Sequence, residues 1–192
     1  IGSFDGLHSG HRKLIDSVVE EKEYIPTIAS FWPHPREVLY KETRLRLDLP
    51  KEKLPILEIL GIKQLVLITF NERLSRLSAE EFIREILINQ LQAKSISVGA
   101  NFRFGYKRAG DIKLLKSLAK DYDYKIINPS PLKSKKFVIS STLIRKNLET
   151  GNLKKVKKFL GRNWCIEGRV EKGRQLGKKI GFPTCNICLL YT

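Results

Sequence analysis

The sequence predicts an α/β protein whose main unit is a doubly wound parallel sheet. Short apolar segments rich in β-branched residues alternate with helical patterns through residues 1–148, which is typical of successive βαβ units. The predicted strands are apolar at nearly every position, so we expect them to be buried on both faces. After residue 162 the helical spacing gives way to strand-like segments broken by glycines. These segments predict the start of a second, β-rich unit.

The predicted elements follow from hydrophobic spacing and capping residues. After a short apolar start, strands are predicted at 24–31, 64–70, 95–98 and 124–127, and helices at 51–60, 78–91, 110–120 and 153–160. Ser78 and Glu81 form a capping box at the start of one of these helices. In parallel sheets, ligands bind beyond the carboxyl ends of the strands. We therefore expect His11, His34 and Asn101, each of which follows a strand end, to share one crevice.

Two histidines flank a glycine where the first predicted strand turns into a helix. His8 and His11 are three apart and would lie at neighbouring positions of one helical face. Gly10 has no side chain to keep a phosphate from approaching the backbone, and a helix N-terminus offers N–H groups to an anion. The stretch predicts a phosphate site, although an ordinary capped turn fits the two histidines equally well when they are taken alone.

The wider string at residues 2–11 is more specific. It reads Gly-Ser-Phe-Asp-Gly-Leu-His-Ser-Gly-His and resembles the opening motif of the bacterial FAD synthetases, the adenylyltransferase part of bifunctional riboflavin kinase/FAD synthetases. The resemblance implies a Rossmann-like fold of the nucleotidylyltransferase type. It also implies an ATP pocket shaped by four residues of the motif, Gly2, Phe4, Asp5 and Gly10.

A second motif, Ile-Ser-Ser-Thr-Leu-Ile-Arg, ends at Arg145. Serine and threonine at a helix start supply caps and hydroxyl donors near an anion, and Arg145 shares the helix face of Ser141 and Thr142. A plain capped helix with a surface arginine is the alternative. The motif is similar to the second signature of the same superfamily, which implies that these three residues bind the ATP phosphates. The resemblance further implies that Arg145 is catalytic, together with His8 and His11.

The stretch at 98–105 reads Val-Gly-Ala-Asn-Phe-Arg-Phe-Gly. An amide and two aromatic rings beside glycines suit a planar heterocycle, and the stretch is similar to the flavin loop of the FAD synthetases. This resemblance implies that Asn101, Phe102 and Phe104 bind the flavin, although the two phenylalanines also fit core positions at a strand end. The run Trp-Pro-His-Pro-Arg at 32–36 reads as a rigid loop, which the same resemblance places beside the nucleotide pocket.

Near the end of the chain, residues 181–186 read Gly-Phe-Pro-Thr-Cys-Asn. They are similar to the opening motif of the riboflavin kinase module, a small β-barrel, which implies that Thr184 and Asn186 serve Mg²⁺ and a nucleotide phosphate. Only an incomplete barrel start fits here, so we expect a poorly ordered or loosely docked tail without kinase activity. The predicted division is an adenylyltransferase domain at 1–148, a linker helix at 149–162 and the barrel start at 163–192, all part of a longer protein.

Composition limits the classes of partner that we expect for this protein. The formal net charge is +16, from 36 Lys and Arg against 20 Asp and Glu. The lysines are spread along the chain and are not interleaved with the aromatic residues that a stacking surface requires, so we expect no nucleic-acid partner. No apolar run reaches the roughly 18 residues of a membrane span, and we expect no membrane partner. The three cysteines all lie close to the end of the chain and give no disulfide framework, which predicts a cytoplasmic protein.

The predicted reaction is FMN adenylylation, in which ATP and FMN give FAD and pyrophosphate with Mg²⁺. The FMN phosphate has a second pKa of about 6 and is mostly dianionic at neutral pH, so the site needs donors and cations and no protein base. The full-length parent is predicted also to phosphorylate riboflavin. One alternative is a related enzyme acting on pantetheine phosphate or nicotinamide mononucleotide, against which the flavin loop and tail motif count. Another is a non-catalytic flavin- or RNA-binding module, against which the two intact signatures count.

Overall fold

The computed structural model describes residues 1–42, 46–129, 133–134 and 137–188 of the chain. It is a mixed α/β structure with small sheets. The first half contains α1 (Ser9–Val19), β1 (Thr27–Trp32), α2 (Pro35–Tyr40), α3 (Pro50–Ile59), β2 (Gln64–Thr69) and α4 (Glu72–Arg76). The middle contains α5 (Ala79–Glu81), which continues as a π-helix (Phe82–Gln90), then β3 (Ser95–Ser97), a 3₁₀ turn (Tyr106–Arg108), α6 (Ile112–Ser117) and β4 (Lys125–Ile127). The last part contains β5 (Lys133–Ser134), β6 (Phe137–Val138), α7 (Ser141–Glu149), α8 (Leu153–Leu160), β7 (Arg169–Glu171), α9 (Leu176–Lys179) and β8 (Asn186–Cys188).

Two pairs of parallel strands carry the main unit. Strand β1 pairs with β2 in a register that sets Thr27 opposite Gln64, and β3 pairs with β4 in a register that sets Ser95 opposite Lys125. The first residues of the chain lie between the two pairs. The Gly2 N–H donates to the carbonyl of Ala29 in β1 at 3.1 Å, and the amino terminus of Ile1 donates to the carbonyl of Ser97 in β3 at 3.0 Å.

Three apolar clusters hold these elements together. The largest packs the π-helix against β1, β3 and α6 around the fully buried Ile83 and Leu115. A second packs α1 and α3 around Ile15 and Leu57. The third joins Leu47 to α7 and α8. Because this third cluster contains residues on both sides of position 148, α8 is packed into the same core as α7.

The four strands predicted at 24–31, 64–70, 95–98 and 124–127 are confirmed to within three residues as β1 to β4. The prediction of a first strand at the apolar start was wrong, because residues 1–4 are not a strand, although Ile1 and Gly2 each bond to a neighbouring strand. The expectation that the segment at 64–70 is buried on both faces was wrong. Strand β2 is largely accessible, and Leu67 is 41% exposed. In the described part of the chain β2 pairs with β1 alone, so it lies at an edge where one row of its side chains is left uncovered.

Several helix ends differ from the prediction because local caps decide them. The helix predicted at 110–120 is limited to α6, whose N-cap Asp111 accepts from two backbone N–H groups. The run at 32–36 was predicted as a loop, but its second half begins α2, where the His34 ring accepts from the Arg36 N–H at 3.1 Å. Helix α4 was not predicted and is capped by the side chain of Asn71.

The residues after α8 form a small unit of their own. Strands β7 and β8 pair antiparallel, with Glu171 opposite Asn186, and nearly all side chains from 165 to 187 are exposed. Within the described residues this unit contains no closed barrel, and residues 189–192 of the predicted barrel start lie outside them. No described helix is long and apolar enough to cross a membrane.

Candidate functional site

The candidate site is built around the loop of residues 2–8 and the start of α1. We call residues 2–8 the nucleotide loop, after the role that the sequence predicts for them. The backbone is in the left-handed region at Phe4 (φ 44°), Gly6 (φ 86°) and Leu7 (φ 39°), which is unusual for Phe and Leu. Both of these side chains are buried in the core. Their packing fixes the loop in this shape and brings it directly to the N-terminus of α1.

His8 and His11 are stacked on each other. Their ring centroids are 3.7 Å apart with an interplanar angle of 17°. Burial lowers the pKa of His8 to about 4, an effect that the Asp5 carboxylate partly opposes. Burial also lowers the pKa of His11 well below its usual value, and the charges of His8 and Lys53 lower it further. Both rings are therefore neutral at pH 7, since two adjacent imidazolium ions in a buried site would repel each other.

Each of these rings has a buried nitrogen with unused hydrogen-bonding capacity. The Nδ1 atoms of His8 and His11 are buried and find no hydrogen-bond partner among the described residues. Buried polar atoms in folded proteins are nearly always paired. The unpaired nitrogens therefore indicate a site in which the two rings can form hydrogen bonds with a polar ligand.

The structure supplies a packing reason for Gly10. A Cβ built on this residue would lie 3.0 Å from two atoms of the His8 ring and 3.2 Å from the Ile139 carbonyl oxygen. The prediction from sequence was that Gly10 leaves room for a phosphate. In the structure the space above Gly10 is taken by the His8 ring, so the glycine permits the stacked arrangement of the two histidines.

Asp5 connects the two sequence signatures. Its carboxylate forms an ion pair with Arg145 of α7 and accepts from the Leu47 N–H at 3.0 Å. Its backbone carbonyl accepts from the Ser141 hydroxyl at 2.7 Å. The side chains of the Asp5–Arg145 pair are only 10% and 14% exposed, so the guanidinium is held at the edge of the nucleotide loop.

Helix α7 is capped by Ser140, the serine before the predicted site residues. The Ser140 hydroxyl accepts from the Leu143 N–H at 3.3 Å. Sequence reasoning described the serines and threonine of this motif together as caps and phosphate donors. The structure divides these roles, because Ser140 serves the helix, Ser141 holds the Asp5 carbonyl and the exposed Thr142 faces the cleft.

A cleft of about 460 Å³ brings the predicted residues together. Its lining includes eleven of them: Gly2, Phe4, Asp5, His8, Gly10, His11, Asn101, Phe102, Ser141, Thr142 and Arg145. It also includes His34, as the strand-end argument predicted, and Lys13, which the sequence reasoning missed. Lys13 lies two residues after His11 in the second turn of α1, and this position next to the signature is the signal that could have found it.

Phe104 is placed differently from its predicted flavin-binding role. It is only 5% exposed, stacks on Phe102 with centroids 5.4 Å apart and packs against Phe82. It does not line the cleft. The core alternative weighed for this pair therefore fits Phe104, whereas Phe102 borders both the cleft and the core.

The predicted metal residues lie outside this cleft. Thr184 and Asn186 are exposed in the unit after α8. Within the described residues no group of three or more His, Cys, Asp and Glu side chains could hold a metal ion. In the cleft itself the lining carboxylate is Asp5, which is already paired with Arg145. The residues of the cleft therefore do not fit a protein-bound Mg²⁺ site.

The match to a known family includes the first signature and the first five residues of the second. A family model described as FAD synthetase matches residues 1–143. The chain belongs to the FAD synthetase family. A second family model, described as riboflavin kinase, matches residues 160–192. In this FAD synthetase family member the two matches are thus separated by 16 residues that contain most of α7 and α8.

Curated relatives carry the same pair of names. "Bifunctional riboflavin kinase/FMN adenylyltransferase" of Buchnera aphidicola subsp. Schizaphis graminum (strain Sg) is 43% identical over 194 residues, covering 98% of this chain and 62% of the relative. The protein of that name from Escherichia coli (strain K12) is 37% identical over 193 residues, with the same coverage. The chain thus spans less than two thirds of the length of these relatives.

A solved structure has the same fold over nearly the whole chain. The crystal structure titled "Macrolide-efflux Protein from Streptococcus pneumoniae" superposes with a TM-score of 0.83 at 30% sequence identity. It covers 99% of this chain and 63% of that one. The fold described above is thus shared by an experimentally determined protein chain.

Proposed function

We propose that this chain is an FMN adenylyltransferase, which transfers AMP from ATP to FMN and releases pyrophosphate. The observation that carries the proposal is that one cleft is lined by residues of both signatures, His8 and His11 from the first and Ser141, Thr142 and Arg145 from the second. Membership of the FAD synthetase family supports the same reaction. ATP and FMN are the proposed substrates and FAD is the product.

The sheet supports the predicted doubly wound topology. Residues 1–2 bond to β1 on one side and to β3 on the other, which gives the order β2, β1, residues 1–2, β3, β4. The chain order reverses at residues 1–2, and the cleft lies where these residues run into the nucleotide loop. Ligands of doubly wound sheets bind at this kind of switch point.

The chemistry needs no protein base. An oxygen of the FMN phosphate attacks the α-phosphorus of ATP, a new P–O–P bond forms, and the bond from the α-phosphorus to the bridging oxygen breaks. The electron pair of that bond leaves with pyrophosphate, and no proton has to move. Because the attacking phosphate is already dianionic at neutral pH, the residues contribute position and charge stabilisation.

The roles of the residues follow from their charge and geometry. The neutral rings of His8 and His11 each supply one N–H donor to the ATP phosphates. Arg145 supplies a permanent positive charge for the β- and γ-phosphates as they leave, and Ser141 and Thr142 lie beside it at the start of α7. Gly2, Phe4, Asp5 and Gly10 shape the loop against which ATP lies. Asn101 and Phe102 also line the cleft, and the flavin ring is proposed to bind beside them.

In this proposal Mg²⁺ enters the cleft bound to ATP, because the cleft does not supply a protein site for the ion. The whole protein is further proposed to phosphorylate riboflavin, a proposal supported by the riboflavin kinase match at 160–192. Thr184 and Asn186 are the residues proposed to serve Mg²⁺ and a phosphate in that reaction.

The test is direct. Purified chain is incubated with ATP, FMN and Mg²⁺, and FAD is followed by chromatography in parallel with His11→Ala. FAD formed by the parent and lost in the variant is the expected result. A folded parent that binds ATP yet forms no FAD overturns the choice of FMN as acceptor. Other phosphate monoesters, pantetheine phosphate and nicotinamide mononucleotide first, are then offered to the same sample.

A further inference from the structure

Arg162 reaches from the segment after α8 into the nucleotide loop. Gly161 ends α8 in the left-handed conformation (φ 71°), which turns the chain so that Arg162 points back toward residues 2–8. Its Nη1 donates to the Gly6 carbonyl at 3.1 Å, and its Nη2 lies 3.5 Å from Asp48 Oδ2. Arg162 falls within the part of the chain matched by the riboflavin kinase family, although the residues it holds belong to the part matched by FAD synthetase.

Asp48 is the centre of a buried charge network. It is 5% exposed and is shared by Arg162 and Lys53, whose Nζ lies 3.4 Å from Asp48 Oδ1. Lys53 is itself 7% exposed and donates to the Ser3 carbonyl at 3.3 Å. Each cation that balances the buried carboxylate therefore also holds one carbonyl of the nucleotide loop, Ser3 in one case and Gly6 in the other.

Trp164 makes a second connection from the same segment. Its indole Nε1 donates to the Leu47 carbonyl at 3.0 Å, and the Leu47 N–H donates to Asp5 Oδ1 at 3.0 Å. Asp5 in turn pairs with Arg145. Two residues after α8 thus hold the nucleotide loop, one directly at Gly6 and one through the backbone of Leu47.

The network also acts on the charge state of the site. The positive charge of Lys53 contributes to lowering the pKa of His11, and Lys53 keeps its place through Asp48 and the Ser3 carbonyl. If Asp48 lost its ion pair with Arg162, the net charge of the buried groups that act on His11 would change. The loop and the state of His11 therefore depend on the same buried pairs.

We propose that Arg162 and Trp164 are positioning residues for the nucleotide loop, through which the start of the second unit controls ATP binding in the first. This inference rests on the proposed function in naming ATP as the ligand. Neither residue lines the cleft, so each acts through the loop and not by contact with the nucleotide. By linkage, ATP binding must in turn stabilise the docked position of the segment that follows α8.

The first test measures ATP affinity by calorimetry without turnover, in the full chain. Arg162→Gln removes the positive charge and the guanidinium group. Arg174→Gln, which removes an exposed arginine of the same unit, is the matched control. We expect Arg162→Gln to weaken ATP binding about tenfold, the size of effect produced by losing a hydrogen bond from a charged group. Arg162→Lys, which retains the charge beside Asp48, should recover part of this loss. Equal ATP affinity of folded Arg162→Gln and Arg174→Gln overturns the proposal.

The kinetic readout separates positioning from general damage. In Arg162→Gln the KM for ATP should rise more than the KM for FMN, because the loop carries residues that are proposed to bind ATP and none that is proposed to bind the flavin. Trp164→Phe, which removes only the indole donor and keeps an aromatic ring, should raise the KM for ATP by about threefold. A parallel rise of both KM values, or a loss explained by a lower folded fraction in circular dichroism, contradicts a positioning role.

Limited proteolysis tests the reciprocal effect without any activity. ATP should slow tryptic cleavage after the exposed Lys172 and Arg174, measured against cleavage after the exposed Lys22 near the end of α1. The protection should disappear in Arg162→Gln. If ATP binds and leaves cleavage at all three sites unchanged, the coupling is absent even if FAD synthesis is found. If the parent does not bind ATP at all, both this inference and the proposed function fail.

Discussion

Asp5 and Arg145 form an ion pair across 140 positions of the sequence. The pair joins the loop that carries the first signature to the helix that carries the second, and neither signature could show this from its own spacing. In the free protein the arginine is thus already held at the edge of the cleft. Its charge is in place before a nucleotide arrives, which is the arrangement expected of preorganised charge stabilisation.

Loss of the arginine should therefore reduce turnover more than folding. We expect Arg145→Gln to lower kcat for FAD formation by about 10²- to 10³-fold, the range found when one preorganised donor is removed. The measurement is the initial rate of FAD formation at saturating ATP and FMN. Lys146→Gln, which removes the neighbouring exposed charge, should stay close to the parent. A rate for Arg145→Gln within threefold of Lys146→Gln would contradict the role given to Arg145.

The buried histidines predict a pH dependence of stability. The pKa of His8 is about 4 in the folded chain against an ordinary value of 6.5, so the unfolded chain takes up protons more readily. The stability due to the neutral ring is complete above the unfolded pKa of 6.5 and is lost as the pH falls toward the folded pKa of about 4. Asp48 acts in the opposite direction, because burial raises its pKa from 3.8 to about 6. The stability due to its neutral carboxyl group is complete below pH 3.8 and is lost as the pH rises to about 6.

His8→Asn isolates the histidine from this opposing effect. Asp48 is present in both proteins, so the difference between them reports His8 together with its effect on the neighbouring His11. Between pH 7 and pH 4.5 the parent should lose about 2 kcal/mol more unfolding free energy than His8→Asn. Urea unfolding at the two pH values gives the numbers, and identical losses in the two proteins would show that the His8 ring does not resist protonation.

Gly10→Ala tests the packing reason for that glycine. In an ordinary helix this change stabilises by about 1 kcal/mol, but here the added methyl group would meet the His8 ring and the Ile139 carbonyl. We expect net destabilisation of about 1–2 kcal/mol and at least a tenfold lower rate of FAD formation from displacement of the stacked histidines. Asp16→Ala, at an exposed position of the same helix, is the control. A stabilised and fully active Gly10→Ala would remove the packing argument.

Two phenylalanines that sequence alone could not distinguish should respond differently. Phe104→Ala should cost about 3–5 kcal/mol of unfolding free energy, as for other large core residues. Phe102→Ala should instead raise the KM for FMN by about three- to tenfold, the worth of one aromatic contact, with a smaller loss of stability. Steady-state kinetics and urea unfolding on both variants decide this, and a selective FMN effect in Phe104→Ala would reverse the assignment.

The sequence predicted β1 to β4 and twelve residues of the cleft because those signals are local. Apolar runs mark strands, and each signature lies within one turn or one helix start. Burial of β2 was mispredicted because an apolar strand at a sheet edge has the same composition as a central one. The division of roles between Ser140 and Ser141 depends on where α7 begins, and a difference of one residue is beyond what spacing can show.

The network around Asp48 could not be predicted in the same way. Its members lie at 48, 53 and 162, and only the folded chain brings them together. One signal was present, because Lys53 lies four residues before Leu57 on the buried side of α3. A charge on an apolar helix face indicates a buried partner, although nothing in the spacing identifies which one.

The packing of α8 determines where the chain could be divided into units that fold. The FAD synthetase match ends at residue 143, yet Ile144 is buried against Val156 and Leu160, and Gly6 is held by Arg162. The limit of the sequence family is therefore not the limit of the unit that folds. A transplant of the nucleotide-binding half into another protein would have to extend through Trp164. A graft ending at the family boundary would leave an open apolar surface and an unsupported loop.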